Sequence, residues 1–242
     1  MGMRRITIAA IPTLLLLFAA APASDATSSH KAISMCPPAR AHVLLADAQA
    51  AIYTIREHRI ERIEGRREAS PIVATRGCGV SSKRSFRLDW EFADAGSAES
   101  GSPIPANLTL SGSIVAYEES FSAGNRYSEG QGEEYVEEWH VVVRNVLTGR
   151  TLNRVPTGTS SPQKPKHVGD GFTSAIVVKS DGAVAWITDT VQSEDRYQVH
   201  ALDKTGERTL AVGSNIDPHS LALAGSALYW TQGGKPESAT LN

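Results

Sequence analysis

Four segments of this chain repeat one phrase, and that repetition limits the fold more than any other feature. They are HVLLADAQAAIYTI from His42, LTLSGSIVAYEE from Leu108, IVVKSDGAVAWI from Ile176 and LALAGSALYWTQ from Leu221. Each opens with a short strand-like run and turns at Ala48, Gly112, Asp181 or Gly225. Each then reaches an aromatic residue five positions later, at Tyr53, Tyr117, Trp186 or Trp230. Second halves recur as well. VVVRNVLTGRTL (Val141–Leu152) matches VHALDKTGERTL (Val199–Leu210) through a shared Thr-Gly turn, and PIVATRGCGVSSKRSFRL (Pro71–Leu88) is a looser version. Gly149 and Gly206 can take a positive φ without a Cβ clash, as tight hairpin turns require. Each unit therefore reads as strand, turn, strand, longer loop, strand, tight turn, strand.

No segment carries a sustained helical apolar period with caps. The one helical-looking stretch is TIREHRIERIEGRRE (Thr54–Glu68), where Ile55, Ile60 and Ile63 sit at loose helical spacing. It holds too few apolar residues for a core helix. It reads as the end of a strand, a charged connection and a frayed hairpin, with its charges on a solvated face. Repeated small sheets whose apolar faces a single copy cannot cover predict an all-β, β-propeller-like fold of about four blades. The expected task of Tyr53, Tyr117, Trp186 and Trp230 is then packing between blades rather than stacking on a ligand. The fourth unit stops early, since only TQGGKPESATLN follows Trp230. Closing a ring would take an outer strand from elsewhere, and the stretch Ala32–Cys36 is the expected donor.

The N-terminus reads as a targeting segment. MGMRR supplies positive charge, ITIAAIPTLLLLFAAA an apolar run, and APAS small residues, so residues 1–23 are expected to be a cleaved secretory signal. Residues 24–35 form an N-terminal segment and 36–242 a single propeller-like domain. Removing Met1–Ala23 takes away Arg4 and Arg5 and no acid. The 24 basic and 26 acidic residues become 22 and 26, a net charge of −4. That balance carries no footprint for nucleic acid, and no membrane insertion is expected after cleavage. Only Cys36 and Cys78 are present. In an oxidising compartment they are expected to pair, closing a loop worth roughly 4 kcal/mol on the chain-entropy model. The rival reading is a reactive thiol at Cys78, between Gly77 and Gly79.

Three insertions interrupt the pattern: Ala93–Pro105, Ser122–Glu134 and Pro156–Gly171. Their Gly, Ser and Pro content predicts surface loops, and long loops on a rigid scaffold are where function concentrates.

The repeat phrases resemble those of bacterial exported propellers of the TolB-like and PQQ-like kind. The likeness is closest to secreted proteins with a Cys near the mature start, a Gly-Cys in the first unit and a YWT–GG–L ending. Those features are Cys36, Gly77–Cys78, and Tyr229–Trp230–Thr231 with Gly233–Gly234 and Leu241. The resemblance implies a fold and carries no catalytic residues. ALDKTGERTL (Ala201–Leu210) is similar to part of a quinoprotein blade motif through Asp203, Thr205 and Gly206, but Leu210 stands where the closing Trp would be. No quinone or other cofactor is expected.

Chemistry is weakly signalled. Glu133, Glu134, Glu137, Glu138 and His140, the SEDRYQVH segment ending at His200, and NIDPHS around His219 each place acids near a histidine. None has metal-ligand spacing, and each reads as solvated surface. No G-x-S-x-G motif occurs. Asn107-Leu108-Thr109 matches a glycosylation sequon but opens a predicted strand. No catalytic, cofactor or metal residue is therefore assigned. The sequence points to an extracytoplasmic, secreted or envelope-located binding or scaffold domain for a protein, peptide or glycan. The alternative is a glycan- or ester-acting hydrolase.

Overall fold

The computed structural model describes residues 36–63, 65–82, 84–92, 105–128, 131–159, 171–190 and 196–242. The expected signal at 1–23, the segment 24–35 with most of the proposed closing strand, and most of the first and third insertions lie outside them. The chain divides into Met1–Ile33 and Ser34–Asn242, and every strand belongs to the second unit.

Among the described residues there is no helix, and fifteen strands pair into four antiparallel sheets. The first sheet holds β1 (His42–Ala46), β2 (Ala50–Ile63), β3 (Arg66–Gly79) and β4 (Ser85–Phe92). The second holds β5 (Ala106–Ser111), β6 (Ile114–Ser128), β7 (Gln131–Asn145) and β8 (Thr151–Thr159). The third holds β9 (Gly171–Val178), β10 (Val184–Thr190), β11 (Tyr197–Asp203) and β12 (Gly206–Gly213). The fourth has three strands, β13 (Ala222–Ala224), β14 (Ala227–Gln232) and β15 (Lys235–Thr240). In every sheet spatial order follows chain order, so each is a meander.

Strand alternation explains why the sheets stack. Successive side chains leave opposite faces of a strand, so IVAY (Ile114–Tyr117) and AVAW (Ala183–Trp186), apolar at every position, must be covered on both faces. Ala50 and Ile52 pack with Val115, Tyr117 and Val142 between the first two sheets. Ile114, Ala116 and Val143 meet Ile176, Val184 and Trp186 between the second and third. Ala185, Ile187 and Val199 meet Leu228, Trp230 and Leu241 between the third and fourth. The repeated aromatic therefore turns toward the preceding sheet in units two, three and four. Tyr53 in unit one turns the same way, where no sheet precedes it. It lies with Cys78, Cys36, Ala41 and Ile55 instead. No core cluster among the described residues joins the fourth sheet to the first.

Cys36 and Cys78 form a disulfide with Cα atoms 5.9 Å apart. It ties the start of the described chain to the third strand of the first sheet, beside Tyr53.

The Ser122–Glu134 insertion is not a loop. Its described residues continue β6 and β7 as a long hairpin, paired from Ile114↔Asn145 to Ser128↔Gln131. Thr54–Glu68 likewise belongs to an unbroken β2–β3 hairpin paired out to Ile63↔Arg66. In both cases backbone pairing with an adjacent strand outweighs a polar, Gly-containing composition, because a hairpin satisfies its own donors and acceptors without burying side chains.

Candidate functional site

The meanders give the stack two unlike ends. At one end lie the tight turns. Gly112, at φ 61°, sits so close to its neighbours that a Cβ there would lie 3.3 Å from Gln49 Oε1 and 3.5 Å from the Cβ of Ser180. The first turns of units one, two and three thus converge. Gly149, at φ 72°, lies against the Phe86 ring, where a Cβ would come within 2.1 Å of a ring carbon. Each of these glycines is fixed by conformation and by space together. At the opposite end stand the long hairpins β2–β3 and β6–β7, together with the connections between units.

A buried polar seam runs between the second and third sheets toward this long-connection end. Glu118 follows Ile114 and Ala116 at alternate positions of β6, so it faces the third sheet, and only 8 % of it is exposed. Its carboxylate accepts the backbone N–H of Thr173 on β9. Burial pushes the Glu118 carboxyl above its usual range, and the bonds from Thr173 oppose that shift. Asn107 opens β5 at φ 52° and donates its side-chain amide to the Thr173 carbonyl. The sequon nitrogen is thereby engaged inside the structure. The hydroxyl oxygen of Thr157 is buried without a hydrogen-bond partner among the described residues. At the mouth of the seam Trp139 meets Phe172 edge to face, with ring centroids 4.8 Å apart, and Phe172 is exposed.

The seam continues across the third sheet. Thr188 lies opposite Thr173 in the β-ladder. Its Oγ1 is 3.2 Å from His200 Nε2, and Thr209 Oγ1 is 3.4 Å from Nδ1. The imidazole stacks on Trp186 at 5.3 Å and 13°. Burial lowers the His200 pKa to about 4, so the ring is neutral where it sits. His200 had been grouped by sequence with the acids of SEDRYQVH. The fold points it inward instead, to hold two threonines and a tryptophan.

The four repeat aromatics are all buried. Tyr117 keeps its hydroxyl buried without a partner, and burial is the main reason its pKa is pushed up to about 12. Asp203 of the quinoprotein-like phrase pins its own turn by accepting from Thr205 N–H and hydroxyl. It also takes both guanidinium nitrogens of Arg208, at 2.8 and 2.9 Å. That pairing holds the Asp203 carboxyl far below the usual carboxylate range. Arg208 then donates to the Thr240 carbonyl and Asn242 N–H donates to Asp203, so the motif clamps the end of the fourth sheet to the third. A cleft of about 330 Å³ opens beside this clamp, lined in part by Asn153, Asp181, Lys204 and Asn242.

His219 caps an Asp217 turn through its backbone. His140, on the face of β7 turned to the first sheet, has its pKa lowered by burial and then by Arg154. Among the described residues no three His, Cys, Asp or Glu side chains gather to hold a metal ion.

Sequence reasoning did not single out Glu118, Thr173 or Trp139. The available signal was a carboxylate continuing the period-two apolar series Ile114, Ala116. An acid at an inward strand position is a buried polar group that requires an explanation. Comparison with family models, curated proteins and solved structures gives no match to this chain. What can be stated is the class: an all-β protein of four antiparallel sheets, stacked face to face and tied by one disulfide.

Proposed function

We propose that the chain is an exported, propeller-like binding domain that takes an extracytoplasmic glycan, peptide or protein at its long-connection end. The observation that carries this reading is the asymmetry of the stack. The turns that join the first two and the last two strands of units one, two and three lie at one end, while the long hairpins β2–β3 and β6–β7 and the inter-unit connections leave from the other, which also holds the short β14–β15 turn at Gly233–Gly234. Long segments on a rigid scaffold are the usual place for recognition. The propeller-like part of the reading is supported by the first strands of successive units, since β1 contacts β5, β5 contacts β9 and β9 contacts β13. A common inner edge is what blades arranged about an axis share. Export is supported by the disulfide, because such bonds persist in oxidising compartments. It also rests on the signal-like order of Met1–Ala23.

The test is a panel of glycans and extended peptides offered to disulfide-intact protein beginning at Ser24. A parallel variant has residues 93–104 and 160–170 replaced by short Gly-Ser linkers and the ends of the two long hairpins, residues 58–71 and 123–136, replaced by Asn-Gly turns. The expected result is saturable binding by the parent, lost in the variant while the melting temperature holds. Binding that survives in the variant, or a parent that binds nothing in the panel, would overturn the proposal.

A further inference from the structure

The β2–β3 hairpin is much longer than its neighbours in the first sheet. β1 pairs with it only as far as Thr54, and β4 only as far as Ile72. Beyond those points, among the described residues, the hairpin continues as a two-stranded arm, with unbroken register to Ile63↔Arg66. Its charges are sorted by the strand period. The ladder face that packs on the second sheet at Ile52 continues along β2 through Thr54, Arg56, His58, Ile60 and Arg62. The β3 partners on that face are Gly77, Thr75, Val73, Pro71, Ala69 and Arg67. No acid occupies any of these positions. Glu57 and Glu68 fall on the other face, where Glu57 is held by Arg76 at 2.8 Å.

Arg56, His58, Ile60, Arg62 and Arg67 are all exposed, with Ile60 at 66 %. Among the described residues none of the three arginines has an ion-pair partner. Arg62 and Arg67 stand directly opposite one another. Like charges so placed destabilise a hairpin, so the arm carries a cost that a bound anion would relieve. Alternate residues along a strand repeat at about 6.7 Å, so Arg56 stands about 20 Å along the arm from the Arg62–Arg67 pair, and the cations line the arm and do not gather in a pocket. A row of exposed guanidinium groups suits a polymer that carries an anionic group on successive units, each taken by paired N–H donors. The face has no aromatic residue on which bases could stack. Ile60 is its one large exposed apolar side chain, too little to enter a membrane.

We propose that this face of the β2–β3 arm is a docking surface for an anionic polysaccharide, bearing carboxylate or sulfate groups. The inference rests on the extracytoplasmic binding function proposed above and names its ligand class. It is tested with the disulfide-intact protein against heparin and polygalacturonate, with dextran as the neutral control. Poly-glutamate and phosphatidylglycerol vesicles represent other anionic partners.

The expected result is binding to one or both anionic polysaccharides, weakening with salt, and none to dextran. The variant R56Q/R62Q/R67Q is expected to lose at least tenfold in affinity and to show a shallower salt dependence, with a melting temperature no lower than the parent's. R66Q, on the opposite face, is expected to bind as the parent does. Should the triple variant fold poorly, R62Q and R67Q near the arm's tip serve separately, each expected to weaken binding severalfold. Equal binding by parent and arm variants overturns the inference and leaves the binding function standing. The same holds for preference for poly-glutamate or vesicles over polysaccharide, and for binding confined to neutral ligands of the wider panel. A parent that binds nothing in either experiment removes both.

Discussion

The interface between the third and fourth sheets and the one between the second and third are built by the same repeat but filled differently. Between the third and fourth, the buried side chains are hydrophobic, from Ala185 and Ile187 to Leu228 and Leu241, with the indole N–H of Trp230 as the buried polar atom among them. The polar work there is done at the periphery, by the Asp203–Arg208 clamp. Between the second and third, the half nearest the tight turns is equally apolar. The half nearest the long connections holds Glu118, Thr173, Thr188 and His200. Apolar filling stabilises wherever it occurs. Buried polar groups do so only when each finds a partner, and Thr157 keeps a hydroxyl without one among the described residues. The contrast places the less optimised interface under the end proposed to bind ligand, a pattern expected where function competes with stability.

The largest expected effect tests whether the apolar halves are equivalent. Trp186→Ala at the second interface and Leu228→Ala at the third each remove a fully buried side chain. Large-to-small changes of this kind cost roughly 3–5 kcal/mol for Trp and 2–5 kcal/mol for Leu. Urea titration should show both variants strongly destabilised. A Trp186→Ala protein that melts like the parent would mean that the aromatic row is not holding the stack together.

A second, smaller effect separates the interfaces by pH. His200 has a folded pKa of about 4 against an ordinary 6.5, so the folded state binds fewer protons than the unfolded one in that window. Stability should therefore fall as pH drops from 6.5 toward 4, by at most about 3 kcal/mol. Glu118 is shifted upward, so its neutral form is favoured in the fold, and its contribution is lost as pH rises through its folded value. Denaturation measured from pH 4 to 8 should show the acid-side loss reduced in His200→Gln and the alkaline-side loss reduced in Glu118→Gln. Leu228→Ala should keep both slopes of the parent. Identical pH profiles for parent, His200→Gln and Glu118→Gln would remove the distinction between the two interfaces.

The smallest effect concerns the clamp. Asp203→Ala removes the bidentate partner of Arg208, a charge-assisted contact worth about 1.5–3 kcal/mol when buried and less when exposed. The Arg208 side chain is 30 % exposed while that of Asp203 is sealed, so a cost within that range is expected. Hydrogen exchange should quicken in β15 before it changes in β6 or β9, because the clamp holds the end of the fourth sheet alone. Uniform acceleration across the sheets would show that the clamp acts globally.

The sequence by itself determined the strands and their turns. Period-two apolar runs, glycines at 112, 149, 206 and 225, and an aromatic five residues past each turn are local signals, and local signals fix meander hairpins. The pairing of Cys36 with Cys78 was legible for a similar reason: a chain with two cysteines has one intramolecular pairing open to it. The composition of 54–68 and 122–134 misled, because their polarity reads as loop while adjacent-strand pairing makes hairpins of them. Which side chains share an interface was decided only by tertiary structure. Glu118 and Thr173 lie 55 positions apart, and nothing in either neighbourhood records that β9 would pass over β6. Whether a carboxylate is solvated or sealed depends on what the next sheet brings over it, and stacking order is a long-range property that strand periodicity does not encode. The same is true of the basic arm. Its alternating pattern was written in the sequence, but that the face is covered by the second sheet at Ile52 and exposed from Arg56 to Arg67 was decided by stacking.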